Sequence, residues 1–268
     1  MVEVFAVASG KGGTGKTTST LALGMALADR YDVTVVDADT GMANLLFHAG
    51  LSDADTTLHD LLGDERGVVA DATYERFGMR VVPCGTDLGG FRDADPARLR
   101  DVVATLAADT DVLLLDSPAT LASRSAVLPV VLADRVVLVT QATVPALSDA
   151  LKVQEYAASY DTGVAGVLFN RVRDEDGVDD VVAQSERYFE GPILGRIPED
   201  DAARAARRAG EPLLAHAPTS PAADAYRAAA ADLDVRAGDA AVAAVADRFR
   251  RAVVPDDPIS GGGASENR

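Results

Sequence analysis

Apolar residues in this chain collect in short unbroken runs, separated by longer stretches where they recur every three or four positions. Val2–Ala8, Val33–Val36, Met79–Pro83, Val112–Leu115, Arg135–Thr140, Val164–Phe169 and Ile193–Ile197 read as strands. Because the runs are continuous rather than alternating, they predict strands covered on both faces. Helical spacing falls near Thr17–Asp29, Pro96–Ala107, Ala146–Ser159, Val178–Phe189, Asp200–Ala209 and Pro221–Leu233. This rhythm predicts an α/β fold, a mostly parallel twisted sheet flanked by helices on both faces. No internal repeat is visible. One domain over residues 1–234 is expected, then an Ala-rich amphipathic helix over 235–254. The last residues, 255–268, have the Pro, Gly, Ser and charge content of a disordered tail.

After the first strand comes GKGGTGKTT, residues 10–18. It fits G-x-x-x-x-G-K-[ST], with Gly10, Gly15, Lys16 and Thr17 in the fixed places. Glycines at Gly10, Gly12, Gly13 and Gly15 let successive backbone N–H groups, with Thr14 and Thr18 among them, turn inward around phosphate oxygens. Lys16 then reaches the β- and γ-phosphates, and the Thr17 hydroxyl is placed to ligate Mg²⁺. The strand before and the helix after are the context this motif needs.

The 268 residues carry 42 acidic and 25 basic side chains, a net charge of −17, and only three of the basic ones are lysines. Two of those, Lys11 and Lys16, lie in this one loop, where a compact ammonium cannot be replaced by the broad arginine fork. A chain so acidic and lysine-poor resembles the proteins of salt-loving microbes, haloarchaea in particular. Its field repels nucleic acid and anionic lipid, subject to screening by salt. The single cysteine, Cys84, excludes an intramolecular disulfide framework or a Cys-rich metal site within one chain. The first residues lack a basic n-region and a long apolar core, and no stretch approaches the roughly 20 apolar residues that span a bilayer. A soluble, cytoplasmic protein is expected.

With lysine directly after its first glycine, the loop resembles the deviant Walker A sequence, K-G-G-x-G-K-[ST], of the MinD/ParA family of ATPases. The resemblance implies ATP/ADP and Mg²⁺ as cofactors. It also implies that Lys11 reaches the partner's nucleotide across an ATP-dependent homodimer. DADTGMANL after the second strand is similar to the family's switch I. There Asp39 orients the attacking water and Asp37 lies near the metal; both, with Thr17 and Asp116, make up the implied metal set. VLLLDSPA is an apolar strand ending in the Walker B aspartate, Asp116, and it continues as the MinD switch II does, except that Thr120 stands where glycine is usual. Asn170 and Arg171 end a strand where the family reads adenine, and ILGRIPED, with Pro198, resembles the loop packed beside the base. Thr140-Gln141-Ala142-Thr143 departs from the family's T-T-P-E, so the partner-facing surface is expected to differ. The resemblance covers roughly residues 2–233.

Within the family, the lone Cys84 and the missing C-x-x-C argue against iron–sulfur relatives, and a tail without tyrosine argues against bacterial tyrosine kinases. Net negative charge argues against a ParA-like DNA binder, which needs basic side chains on phosphates. An ATPase of the MinD type remains, a spatial switch acting with an unidentified protein partner. The alternatives are a nucleotide-gated scaffold with little turnover, which Thr120 favours, or a DNA-partitioning ATPase. In residues 239–254, Val242, Val245 and Phe249 share a face and Arg248, Arg250 and Arg251 cluster near the end. Such a helix suits peripheral contact at the inner face of the membrane, or docking on the domain itself or on a partner.

Overall fold

A computed structural model of the chain describes residues 2–63, 67–119, 124–173 and 178–236. Eight strands form one sheet. They are β1 (Glu3–Ala8), β2 (Val33–Asp37), β3 (Tyr74–Arg76), β4 (Met79–Val82), β5 (Val112–Asp116), β6 (Arg135–Thr140), β7 (Gly163–Val172) and β8 (Ile193–Pro198). Their order is β3-β4-β2-β5-β1-β6-β7-β8, parallel throughout except for β3 on β4.

The central strand β1 shows why the apolar runs are continuous. Val4, Ala6 and Ala8 enter one core while Phe5 and Val7 enter the other, and all five are buried. On the first face the helices Leu99–Leu106 and Val144–Ala158 supply Leu99, Val102, Val103, Ala150 and Val153. On the second, Lys16–Leu27 and Pro221–Asp232 supply Leu21, Leu23, Leu27, Tyr226 and Ala229. With no wet face, an apolar residue is favoured at every position of the strand.

All seven expected strands are present, and so are the six helices expected before residue 235, with ends shifted by a few residues. Pro96–Ala107 divides into a 3₁₀ turn, Pro96–Arg98, and the helix Leu99–Leu106, while Val178–Phe189 becomes a helix, Val178–Ser185, and a 3₁₀ turn, Glu186–Tyr188. The edge strand β3 has no counterpart in the sequence pattern, being three partly exposed residues. It turns into β4 through Phe77 (φ 53°) and Gly78 (φ 79°), the two positive angles that a tight hairpin turn requires. The short helices Leu45–His48, Leu58–Leu62, Leu88–Asp93 and Leu213–His216 carry too few turns to show a period, and Arg124–Leu132 contains Pro129, which reads as a breaker.

At the other end of the sheet, Glu3 accepts from Arg135 Nε at 2.8 Å, and the Arg236 backbone N–H donates to the same carboxylate. This ties the end of the domain beneath β1 and β6. Residues 239–254, the tail and Thr120 lie outside the described residues. Among the described residues no helix is long and apolar enough to cross a membrane.

Candidate nucleotide site

Because β1, β2 and β5 run in one direction, their carboxyl ends deliver the glycine-rich loop, Asp37 and Asp116 to one edge of the sheet, the usual ligand edge of such folds. The β2–β5 register sets Asp37 opposite Asp116.

The loop is shaped by its glycines and laced by side chains. Gly13 and Gly15 have φ of 78° and 99°, in the left-handed region where a side chain is strained. Gly10 is required by proximity, since a Cβ there would stand 2.4 Å from the Asp149 carbonyl oxygen. The Ser9 hydroxyl donates to the Lys11 carbonyl at 2.8 Å, and Thr14 donates to Ser9 Oγ at 3.0 Å. Lys11, Gly12 and Gly13 are exposed, whereas Lys16 is buried at the start of its helix. Burial pushes the Lys16 ammonium below its ordinary value, with Asp116 and then Asp39 opposing that shift. A desolvated ammonium of this kind is suited to a dense anionic ligand.

Thr17 Oγ1 donates to Asp116 Oδ2 at 2.6 Å, and Thr20 Oγ1 donates to Asp116 Oδ1 at 3.1 Å. Asp116 is fully buried, and burial pushes its carboxyl up to about 6, against the Thr17 bond, Lys16 and Thr20. Asp37 beside it is also raised, by burial first and by the Asp116 charge next. Two adjacent buried carboxylates held this way suit a cation, and the paired Thr17 and Asp116 oxygens are hard donors of the kind Mg²⁺ takes. Among the described residues there is no cluster of three or more acidic, His or Cys side chains arranged to hold a metal unaided. Mg²⁺ itself keeps several waters and ligand phosphates in its shell.

The expected four-residue metal set is therefore only partly gathered. Thr17 meets Asp116, while Asp37 faces the loop that follows it. Its carboxylate accepts from the backbone N–H groups of Asp39, Asn44 and Leu45 at 3.2, 3.2 and 3.1 Å. Asp39 Oδ1 accepts from Met42 N–H at 3.0 Å, so the loop is wound around both acids.

A cleft of about 430 Å³ adjoins the phosphate loop and brings Thr18, Asn170, Arg171 and Pro198 together with Gly15. Asn170 performs a task its place at a strand end did not reveal. Its Nδ2 donates to the Thr14 carbonyl at 2.7 Å, and its Oδ1 accepts from Arg171 N–H at 2.9 Å. It thus straps the phosphate loop to β7, and a Cβ on Gly15 would lie 2.1 Å from that Nδ2. Arg204, Arg207 and Tyr226 also line the cleft, and the Tyr226 hydroxyl is 2.8 Å from Ser19 Oγ. Nothing local in the sequence marks them. Thr20 is different, because it follows Thr17 by three residues on one helical face and its contact was readable from that spacing.

Fold and site together define a P-loop nucleotide-binding protein with a second lysine in its loop. The chain belongs to the CobQ/CobB/MinD/ParA nucleotide-binding domain family, which it matches over residues 5–213. An uncharacterized ATP-binding protein of Methanocaldococcus jannaschii is 37% identical over 223 residues, 82% of this chain and 83% of that one. The cell division ATPase MinD of Pyrococcus furiosus is 35% identical with a TM-score of 0.77, covering 87% of this chain and 98% of that one. The septum site-determining protein MinD of Pyrococcus horikoshii, complexed with Mg-ADP, is 32% identical with a TM-score of 0.80, covering 87% and 96%.

Proposed function

We propose that this chain is a MinD-type ATPase, a spatial switch that binds ATP with Mg²⁺, dimerises in that state and is released by hydrolysis. The observation that carries the reading is the phosphate loop itself: Lys16 buried at the helix start, Thr17 locked to Asp116, and Lys11 exposed on the same loop. The Mg-ADP complex of the similar Pyrococcus horikoshii protein supports the choice of ligand.

In this reading the backbone of residues 10–18 cradles the phosphates and Lys16 takes the charge of the transferring group. Bound Mg²⁺ would neutralise the β- and γ-phosphate oxygens, with Thr17 and Asp116 holding it directly or through water. Asp39 orients the attacking water, and Asp37 keeps the loop that carries it in shape. Lys11 reaches the nucleotide of a second copy. Asn170, Arg171 and Pro198 form the floor of the base cleft. Because the γ-phosphate is present only before hydrolysis, the two nucleotides favour two states of the loop after β2.

The deciding experiment pairs phosphate release with sedimentation in the protein's preferred salt. Lys16→Ala should lose nucleotide binding. Asp39→Ala should keep ATP, hydrolyse it at least about a hundredfold more slowly and remain dimeric, whereas Lys11→Ala should stay monomeric with ATP. Wild-type turnover in Asp39→Ala would overturn the catalytic assignment. The second reading, a scaffold that binds ATP and scarcely turns it over, is favoured by Thr120 in place of the switch II glycine; absence of phosphate release with and without candidate partners would select it. The cargo is a cell-division, polar or motility structure reached through a protein partner, with the cytoplasm as the compartment. Peripheral membrane contact through residues 239–254 belongs to the same proposal. Imaging the tagged protein beside a truncation before residue 239 tests it, and localisation unchanged by the truncation would remove the membrane from the account.

A further inference from the structure

His59, the second residue of the helix Leu58–Leu62, is buried, 3% exposed, at the back of the loop that carries Asp39. Its Nε2 is 3.0 Å from the carbonyl oxygen of Thr40. A carbonyl only accepts, so Nε2 carries a proton and donates to it. Nδ1 is buried with no hydrogen-bond partner among the described residues. Two glycines come close to it: a Cβ on Gly85 or Gly90 would stand 3.0 or 3.1 Å away. Phe91 flanks the imidazole, with ring centroids 6.5 Å apart at 55°. The Asp87 carboxylate lies nearby, its Oδ1 accepting from Gly90 N–H at 2.7 Å to cap the helix Leu88–Asp93. The ring therefore sits in a slot shaped by two glycines and, among the described residues, makes a single hydrogen bond, to the residue after Asp39.

From the front, the Asp37 carboxylate holds the same loop through three backbone N–H groups, and Asp39 closes a turn on Met42. None of these four bonds involves the Thr40 peptide. We propose that His59 is a positioning residue for ATP hydrolysis, fixing the Asp39 loop through the Thr40 carbonyl so that the carboxylate is set for the attacking water. The proposal rests on the reading of Asp39 given above. Without the donor, Thr40, itself buried, loses that hydrogen-bond partner and the adjacent aspartate can move. A displacement of about 1 Å at such a group costs up to about a hundredfold in rate. Residues 10–18 and the base cleft do not include this loop, so the loss should fall mainly on turnover.

The test compares His59→Leu with His59→Gln in the full chain. Leucine fills the slot without a donor, while the glutamine amide nitrogen reaches roughly where Nε2 sits. For His59→Leu, kcat should fall about tenfold or more with KM for ATP within about twofold of wild type, and His59→Gln should recover most of the loss. Amide exchange across residues 39–45, measured with ADP bound, should speed up in the leucine variant and be restored in the glutamine variant. If His59→Leu does not fold, His59→Asn takes its place, since its shorter amide cannot reach Thr40. Equal kcat in wild type and His59→Leu, or a glutamine variant as impaired as the leucine one in both rate and exchange, would overturn the proposal. The exchange measurement needs no turnover. A wild-type protein that never releases phosphate would therefore sink the hydrolase reading, while unchanged exchange in His59→Leu would sink the His59 assignment independently.

Discussion

Asp116 concentrates the electrostatics of the site in one side chain. Burial raises its carboxyl to about 6 from an ordinary 3.8, even though Thr17 and Thr20 both donate to it. The folded chain therefore binds this proton more tightly than the unfolded one. Below about pH 4 the carboxyl is protonated in both states, and the group's stabilising contribution is then complete; it is lost as pH rises through about 6. Asp116→Asn keeps the shape and removes the charge. In urea titrations without nucleotide it should match wild type near pH 4 and exceed it above pH 6, by an amount on the order of a few kcal/mol. The same variant should lose Mg²⁺-dependent nucleotide binding. A variant less stable than wild type at pH 7 would show that the hydroxyl bonds outweigh the burial of charge. Asp116 could be read from its position after an apolar strand, and so could its proximity to Thr17. Its second donor, Thr20, was equally available from helical spacing. His59 was not, because nothing in LHDLL states which loop will lie against the ring.

At the scale of elements, the phosphate loop is a strand–turn–helix unit whose conformation is written into GKGGTGKTT, but it is held from outside. β7 reaches it through Asn170, and the helix Val144–Ala158 crosses Gly10 at Asp149. Gly15→Ala meets two penalties at once, a φ of 99° and a Cβ 2.1 Å from Asn170 Nδ2. We expect a folded chain destabilised by about 1–3 kcal/mol that no longer binds Mg-ADP in calorimetry. Asn170→Ala alone removes the strap and leaves a buried Thr14 carbonyl without that donor, which should weaken Mg-ADP by about tenfold. The double variant relieves the clash but not the strained φ, so it should regain stability relative to Gly15→Ala without regaining nucleotide. Full recovery of binding would show that the clash, not the backbone, was the obstacle. The strands were legible because two-sided burial writes itself as an unbroken apolar run. Four of the helices without a counterpart in the pattern are under two turns long and leave no period to read. In the fifth, Arg124–Leu132, Pro129 masks the helix.

For the whole molecule, the net charge of −17 stands beside a candidate site that gathers two of the three lysines and lines its cleft with Arg171, Arg204 and Arg207. An acid excess of this size predicts stability that depends on salt, as the resemblance to proteins of salt-loving microbes implies. Mutual repulsion among the carboxylates should be screened as the Debye length shrinks from about 10 Å at 0.1 M to about 3 Å at 1 M. The melting temperature without nucleotide should then rise steadily into molar KCl. A melting temperature that falls or stays flat over that range would remove salt adaptation as the explanation of the composition.

The sequence by itself determined the layered α/β fold, the phosphate loop and the acids at the ends of β2 and β5, because each is local: a run, a turn or a strand end. Tertiary structure decided what those groups touch. Thr17 meets Asp116 across 99 residues and Asn170 meets Thr14 across 156. Asp37 accepts from the backbone of its own loop, and the His59 ring meets that loop from behind at the Thr40 carbonyl. Such contacts depend on how strands are ordered in the sheet and how closely glycines let neighbouring segments approach, and neither is written in any single stretch of the chain.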